Sequence, residues 1–267
     1  LKSADLSKQY NGTALVNGTA ALEIETGWVE GEGATYTFTG SQTVVGSSPN
    51  AFTYTLNEGT KAGNYTIDKT EGTLTVMNRD AKYEVTVKAN SATVTYDGKA
   101  HEAAGVETDT FVIDGATYTV SGLTTENPSK VDAGEYTNDI TGTPVVTDGH
   151  GNVVTDQFMV KTENGKLVIN KAEVTLTSAS GEWTYDGTKH SKHEMETVSG
   201  FAEGEGATFT YSASITNVGK VENAFAYKLN ANTKSSNYRF TTKNGTLKVT
   251  PVTDKVTVTI TGNTATA

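Results

Sequence analysis

The chain of 267 residues carries a net charge of −10, which disfavours the basic stripe of a phosphate-backbone binder. It has no cysteine, so disulfides, thiolate metal sites, cysteine nucleophiles and the cysteine-based thioester of some surface adhesins are excluded; no apolar run approaches the ~20 residues of a membrane span. Thr, Val, Gly, Asn and Tyr prevail over Leu, Met and Pro, a composition of pleated strands and tight turns, so the expected fold class is all-β.

Tyr10-Asn11-Gly12 is the first of three copies of a short signature, which returns as Tyr96-Asp97-Gly98 and Tyr185-Asp186-Gly187 at spacings of 86 and 89 residues. A fixed period of that size marks tandem repeats, each one small β-domain. In the first repeat, Gly33-Ala34-Thr35-Tyr36-Thr37-Phe38-Thr39 and Asn50-Ala51-Phe52-Thr53-Tyr54-Thr55-Leu56 alternate as strands with one buried face. Asn64-Tyr65-Thr66-Ile67 and Gly72-Thr73-Leu74-Thr75-Val76 close it and read as a hairpin connected through Asp68 to Glu71.

The second repeat opens with Val85-Thr86-Val87 and Ala92-Thr93-Val94-Thr95. It continues through Gly115-Ala116-Thr117-Tyr118-Thr119 and Val131-Asp132-Ala133-Gly134-Glu135-Tyr136-Thr137, and closes with Phe158-Met159-Val160 and Gly165-Lys166-Leu167-Val168-Ile169. The third repeats the first without a gap from Gly31 to Val76, at a constant offset of 173. The second departs from both, with five extra residues between Asn138 and Phe158. The expected domains are therefore residues 1–80 (repeat type A), 81–171 (type B) and 172–251 (type A), with 252–267 the first strand of a truncated type B repeat. Linkers of a few residues, neither Gly/Ser coils nor Pro-rich spacers, predict β-sandwich modules stacked into an elongated rod. The chain begins at Leu1 without a methionine and ends mid-pattern, which reads as a piece of a longer protein whose targeting signals lie elsewhere.

Within the signature, Asp or Asn can bond its own backbone two residues on, Gly takes the positive φ, and Tyr packs at the end of the module. This favours a turn over a metal or sugar site. Other chemistry is equally sparse. His190, His193 and His101 could seed a zinc site, but the first repeat has no counterpart and solvated loops are the better reading. Asp148-Gly149-His150-Gly151-Asn152 offers one acid, too few oxygens for calcium, and reads as a turn. Glu30/Glu32 and Glu203/Glu205 recur in Gly-rich segments and are expected to be solvated, not to face each other as glycosidase acids. Lys2 and Lys88 with Asn50, Asn138 and Asn223 raise a Lys–Asn isopeptide crosslink, which Thr177 in the third copy argues against.

Tyr-Asp-Gly after a Thr/Val strand, Gly134-Glu135-Tyr136 in mid-repeat, and Asn-Tyr-x-Ile/Phe leading to Gly-Thr-Leu-x-Val resemble the YDG-type (MBG-type) repeats of bacterial surface adhesins. The resemblance covers all three repeats, with Asn11 replacing Asp and Gln157-Phe158 replacing Asn-Tyr as departures. It implies immunoglobulin-like β-sandwich repeats in long secreted or wall-anchored proteins that project an adhesive tip. Val131 to Tyr136 suits the sixth strand of such a sandwich, where a Tyr turns the corner between sheets. A β-grasp module is the alternative; it needs a crossing helix, and the nearest candidate, Glu182 to Val198, lacks the period.

The expected function is that of a non-catalytic stalk, extracellular or at the bacterial cell surface or wall. It would be monomeric, packed only against neighbouring repeats, and without catalytic, metal or cofactor residues, membrane insertion or nucleic-acid binding. The alternative is an adhesion module that holds host glycan or an extracellular protein through the loop after Gly98 or the Asp148–Asn152 insertion; Trp28 and Trp183, the natural sugar platforms, occupy non-equivalent positions.

Overall fold

The computed structural model describes residues 1–19, 21–259 and 261–262. It is all-β: strands joined by turns, three single 3-10 turns at Ala62–Asn64, Thr155–Gln157 and Ser235–Asn237, and no α-helix among the described residues. Strands stand at both ends of the Glu182–Val198 segment, at Gly181–Thr184 and Met195–Ser199. By packing, the chain divides into two compact units. One comprises residues 1–91, 103–128 and 137–166, the other 92–102, 129–136 and 167–267. The division runs through residues 81–171.

In the first unit, Thr73–Met77 runs parallel to Leu6–Gln9 and antiparallel to Gly46–Pro49. Ala34–Phe38 pairs antiparallel with Phe52–Leu56, in a register that sets Tyr36 opposite Tyr54 and Phe38 opposite Phe52. Tyr83–Lys88 runs parallel to Phe158–Glu163, and Thr110–Ile113, Ala116–Thr125 and Ile140–Asp148 form an antiparallel meander. One core joins Tyr10 and Val76 to Val85, Val87, Tyr118 and Phe158, so the side chains of residues 1–80 and of residues 81–171 are buried together. The Tyr118 and Phe158 rings lie 4.8 Å apart at its centre.

In the second unit, Ala172–Ser178 runs parallel to Tyr238–Lys243 and antiparallel to Met195–Ser199. Gly181–Thr184 runs parallel to Gly245–Thr250, which is antiparallel to Gly219–Asn223. Ala207–Tyr211 pairs with Phe225–Leu229, and Ala92–Thr95 runs parallel to residues 167–170. Ile215, Leu247 and Val249 are buried with Trp183 packed against them.

The expected closing hairpin does not form. Tyr238–Lys243 and Gly245–Thr250 follow one another directly but pair in different sheets, alongside Ala172–Ser178 and Gly181–Thr184, which change sheet at the same level. In the first repeat, residues 65–69 carry no strand and Thr73–Met77 pairs elsewhere. The reason is steric. A Cβ at Gly72, Gly165 or Gly245 would overlap the carbonyl oxygens of residues 3–4, 89–90 and 178–179, so each glycine lets two parallel strands cross at backbone contact. The crossing is held by a buried amide: Asn50, Asn138 and Asn223 donate Nδ2 to the carbonyls of Ala4, Asn90 and Ala179 at 2.9, 3.0 and 2.9 Å. In both type A repeats a serine completes it, with Ser3 and Ser178 accepting from the N–H of Gly72 and Gly245 and donating to the carbonyls of Asn50 and Asn223.

Tyr136 Oη donates to the carbonyl of Asp132 at 2.9 Å, a tyrosine tying down the chain four residues upstream. Residues 252–259 and 261–262 carry no strand, and the remainder of the strand expected there lies outside the described residues.

Candidate functional site

In each signature the Asx side chain accepts from the backbone two residues on. Asn11 Oδ1 takes the N–H of Thr13 at 3.2 Å, Asp97 Oδ1 that of Lys99 at 2.9 Å, and Asp186 Oδ1 that of Thr188 at 2.8 Å. Gly12, Gly98 and Gly187 follow with φ of 76°, 81° and 78°, the left-handed region where a side chain would be strained. A side-chain donor also closes each turn: Lys8 Nζ on Asn11, His101 Nε2 on Asp97 and His190 Nε2 on Asp186. The N–H of Lys99 and the His101 ring hold the Asp97 carboxyl below the usual range, and the Thr188 N–H and hydroxyl with His190 do the same for Asp186.

The histidines are thereby engaged in the turns. His190 also stacks on Trp183, and His193 stacks on Tyr211. Among the described residues no three His, Asp or Glu side chains converge on a metal-sized space. Asp148 caps its own loop, accepting from the N–H groups of His150 and Asn152 and from the Asn152 amide. Burial opposes ionisation of that carboxyl, but these bonds outweigh it and hold its pKa below the ordinary value. Lys2 and Lys88 end on the exposed carboxylates of Glu23 and Glu163, while the partner asparagines are spent on the strand crossings, so the crosslink geometry is absent at both.

What sets the three signatures apart is their tyrosine. Tyr10 is 0% exposed, Tyr96 7% and Tyr185 40%. In the first unit Tyr10 enters the core beneath Tyr118, and a Cβ at Gly12 would overlap the Tyr118 hydroxyl. Arg79 locks this arrangement, donating Nη1 to the Tyr10 carbonyl and to Tyr83 Oη, each at 3.0 Å, with its guanidinium over the Tyr83 ring. Gln157, last residue of its 3-10 turn and buried, accepts from the Arg79 N–H and donates to Asn78.

In the second unit Tyr96 and Tyr238 both donate their hydroxyls to Glu205, and their rings meet edge to face at 5.3 Å. Phe201 packs on Tyr238 from another side at 5.3 Å. Asn237, also the last residue of a 3-10 turn and fully buried, accepts from the Ala133 N–H and donates to Asp132, whose other oxygen meets Lys234 Nζ at 2.7 Å. Burial pushes Tyr238 up to about 12, the Ala202 N–H acting against it and Glu205 with it; burial, then Glu205, raises Tyr96. The expectation that the Gly-Glu-Gly acids are simply solvated is thus corrected for Glu205, and for Glu32, which accepts from Tyr65 Oη. Sequence reasoning missed these acids as tyrosine acceptors. The signal was the identical Gly-Glu-Gly-Ala-Thr in both type A repeats, each followed by an Asn-Tyr pair.

No family model and no curated protein matches the chain. Among solved structures it is similar to the Bacteroides ovatus mixed-linkage glucan utilization locus SGBP-B in complex with a mixed-linkage heptasaccharide. That likeness has 11% identity over 94% of this chain and 67% of that one, with a TM-score of 0.17, and carries no argument about fold or function. Among the described residues no helix is long and apolar enough to cross a membrane, which leaves strand-built spans unaddressed.

Proposed function

We propose that this chain is a set of non-catalytic spacer repeats from a bacterial surface or secreted protein, of the YDG type, which hold a distal binding domain away from the cell. The observation that supports it best is the fate of the signature. Two of its three tyrosines are buried in packing between consecutive repeats, within 7% of full burial, so the most regular feature of the chain is spent on joining repeats. In this reading the repeats are immunoglobulin-like sandwiches in file, outside the cell, with no reaction to perform. The loops that the adhesion alternative relies on are closed on themselves, Asp148 by its own N–H donors and Asp97 by Lys99 and His101. Small-angle scattering of the whole chain tests the spacer reading. A cross-section of one module and a length of three are expected; a compact particle overturns it.

A further inference from the structure

The Tyr96 contact has an empty twin. From Trp28 onward an offset of 173 carries Trp28 to Phe201, Glu32 to Glu205, Lys61 to Lys234, Asn64 to Asn237 and Tyr65 to Tyr238. Four of the five pairs are identical in type. The local geometry is the same: Tyr65 Oη donates to Glu32 and accepts from the Val29 N–H, as Tyr238 Oη does with Glu205 and the Ala202 N–H. The Trp28 ring meets the Tyr65 ring edge to face at 4.8 Å, as Phe201 meets Tyr238. The difference is occupancy. Asn237 is 0% exposed and engaged with Asp132 and Ala133, whereas Asn64 and Lys61 are exposed. A cleft of about 200 Å³ opens between Trp28 and Tyr65–Asp68.

We propose that Trp28, Glu32, Lys61, Asn64 and Tyr65 form a preorganised acceptor for the Tyr-Asp-Gly face of a repeat of the kind formed by residues 81–171. The occupant is specified by what fills the twin. A tyrosine hydroxyl completes the second acceptor position on the glutamate, and an aspartate at the level of Asp132 meets the lysine and asparagine. Counting back from the crossing asparagine, Asp132 lies six residues before Asn138. The same count gives Val44 in residues 1–80 and Asn217 in residues 172–251, neither of them charged. A type A repeat, including that of a second copy carrying the exposed Tyr185, therefore lacks the carboxylate. The site recognises type B, which deepens the spacer reading, on which it rests, into an alternation rule.

Trp28 supplies the readout. In a Trp183→Phe background, a copy of residues 81–175 joined ahead of Leu1 places the expected partner in register, because Leu1 stands where Leu176 stands in the third repeat, at the offset of 175 that carries Ser3 to Ser178 and Tyr10 to Tyr185. Acrylamide quenching of Trp28 should fall by about threefold or more, and replacing the added copy's tyrosine by alanine should restore it. Unchanged quenching overturns the proposal. Equal protection from an added copy of residues 172–251, or concentration-dependent protection in the unextended chain, overturns its type B specificity. A second measurement needs no added repeat: Glu205→Gln removes one of the two part-buried oxygens that accept from Tyr96 and Tyr238 and should shift the unfolding equilibrium by about tenfold, and Glu32→Gln by less than about twofold. Equal effects would mean that Glu32 serves its own repeat alone. A compact scattering profile with Trp28 protected would overturn the spacer reading only, and a rod with Trp28 unprotected the acceptor only.

Discussion

Tyr10, Tyr96 and Tyr185 share a motif, an Asx bond and a left-handed glycine, yet differ in exposure from 0% to 40%. Removing a fully buried aromatic leaves a cavity costing about 3–5 kcal/mol, whereas a half-exposed side chain without buried partners is worth within about 0.5–1 kcal/mol. Urea unfolding should therefore rank Tyr10→Ala as severely destabilising and Tyr185→Ala as near neutral; equal losses would show that the tyrosine serves its own turn. The crossing glycines make the complementary case. Gly165→Ala and Gly245→Ala place a Cβ against carbonyl oxygens that cannot move without breaking the parallel pairing. Each should cost at least about 2 kcal/mol, in the range of overpacked sites. Gly187→Ala, with open space around it, should cost only the roughly 1 kcal/mol of its backbone conformation.

At the scale of elements, the parallel strand pairs cross from sheet to sheet at an Asn–Gly contact. That contact was visible in the sequence only as repetition. Asn50, Asn138 and Asn223 and the glycines of Gly-Thr-Leu-x-Val and its relatives could be recognised as recurring, but each amide bonds the carbonyl of Ala4, Asn90 or Ala179, on a segment more than forty residues away. The alternating strands Ala34–Phe38 and Ala207–Tyr211 were legible because one face is apolar; Gly46–Pro49 and Gly219–Asn223 were not, because exposed polar strands carry no period-2 apolar pattern. The Tyr96–Glu205–Tyr238 cluster adds a pH dependence. Both tyrosines have raised pKa values when folded, Tyr238 about 12, against about 10 unfolded. Their stabilisation is complete below about pH 10 and is lost as pH rises toward 12, because the unfolded chain releases its protons first. Tyr96→Phe with Tyr238→Phe should flatten that part of a pH–stability curve. Asp132, its carboxyl held low by Lys234 and then Asn237, acts at the other end, with a small contribution lost only as pH falls through and below the ordinary carboxylate range.

For the whole molecule, the compact units do not coincide with the sequence repeats, and the core of the first unit draws on residues 1–80 and 81–171 together. Repeats that share a core should unfold together. In the Trp183→Phe background, Trp28 reports on the first repeat alone, while Val146 is fully buried in the second. Val146→Ala should lower the midpoint of the Trp28 transition by the equivalent of about 2 kcal/mol, the worth of a buried valine side chain. A Trp28 transition that ignores the substitution would mean that the repeats are independent.

By itself the sequence determined what is local: strand-forming composition, three turns of Asx and left-handed glycine, and the kinship of residues 31–76 with 204–249. These follow from steric preference and short-range hydrogen bonds, which neighbours along the chain dictate. Only the tertiary structure decided that the closing strands switch sheets, that Glu205 gathers two phenols, and that two signature tyrosines are buried while the third is open. Burial and pairing depend on which distant surface arrives, and a shared Tyr-Asx-Gly signature cannot encode three different neighbours.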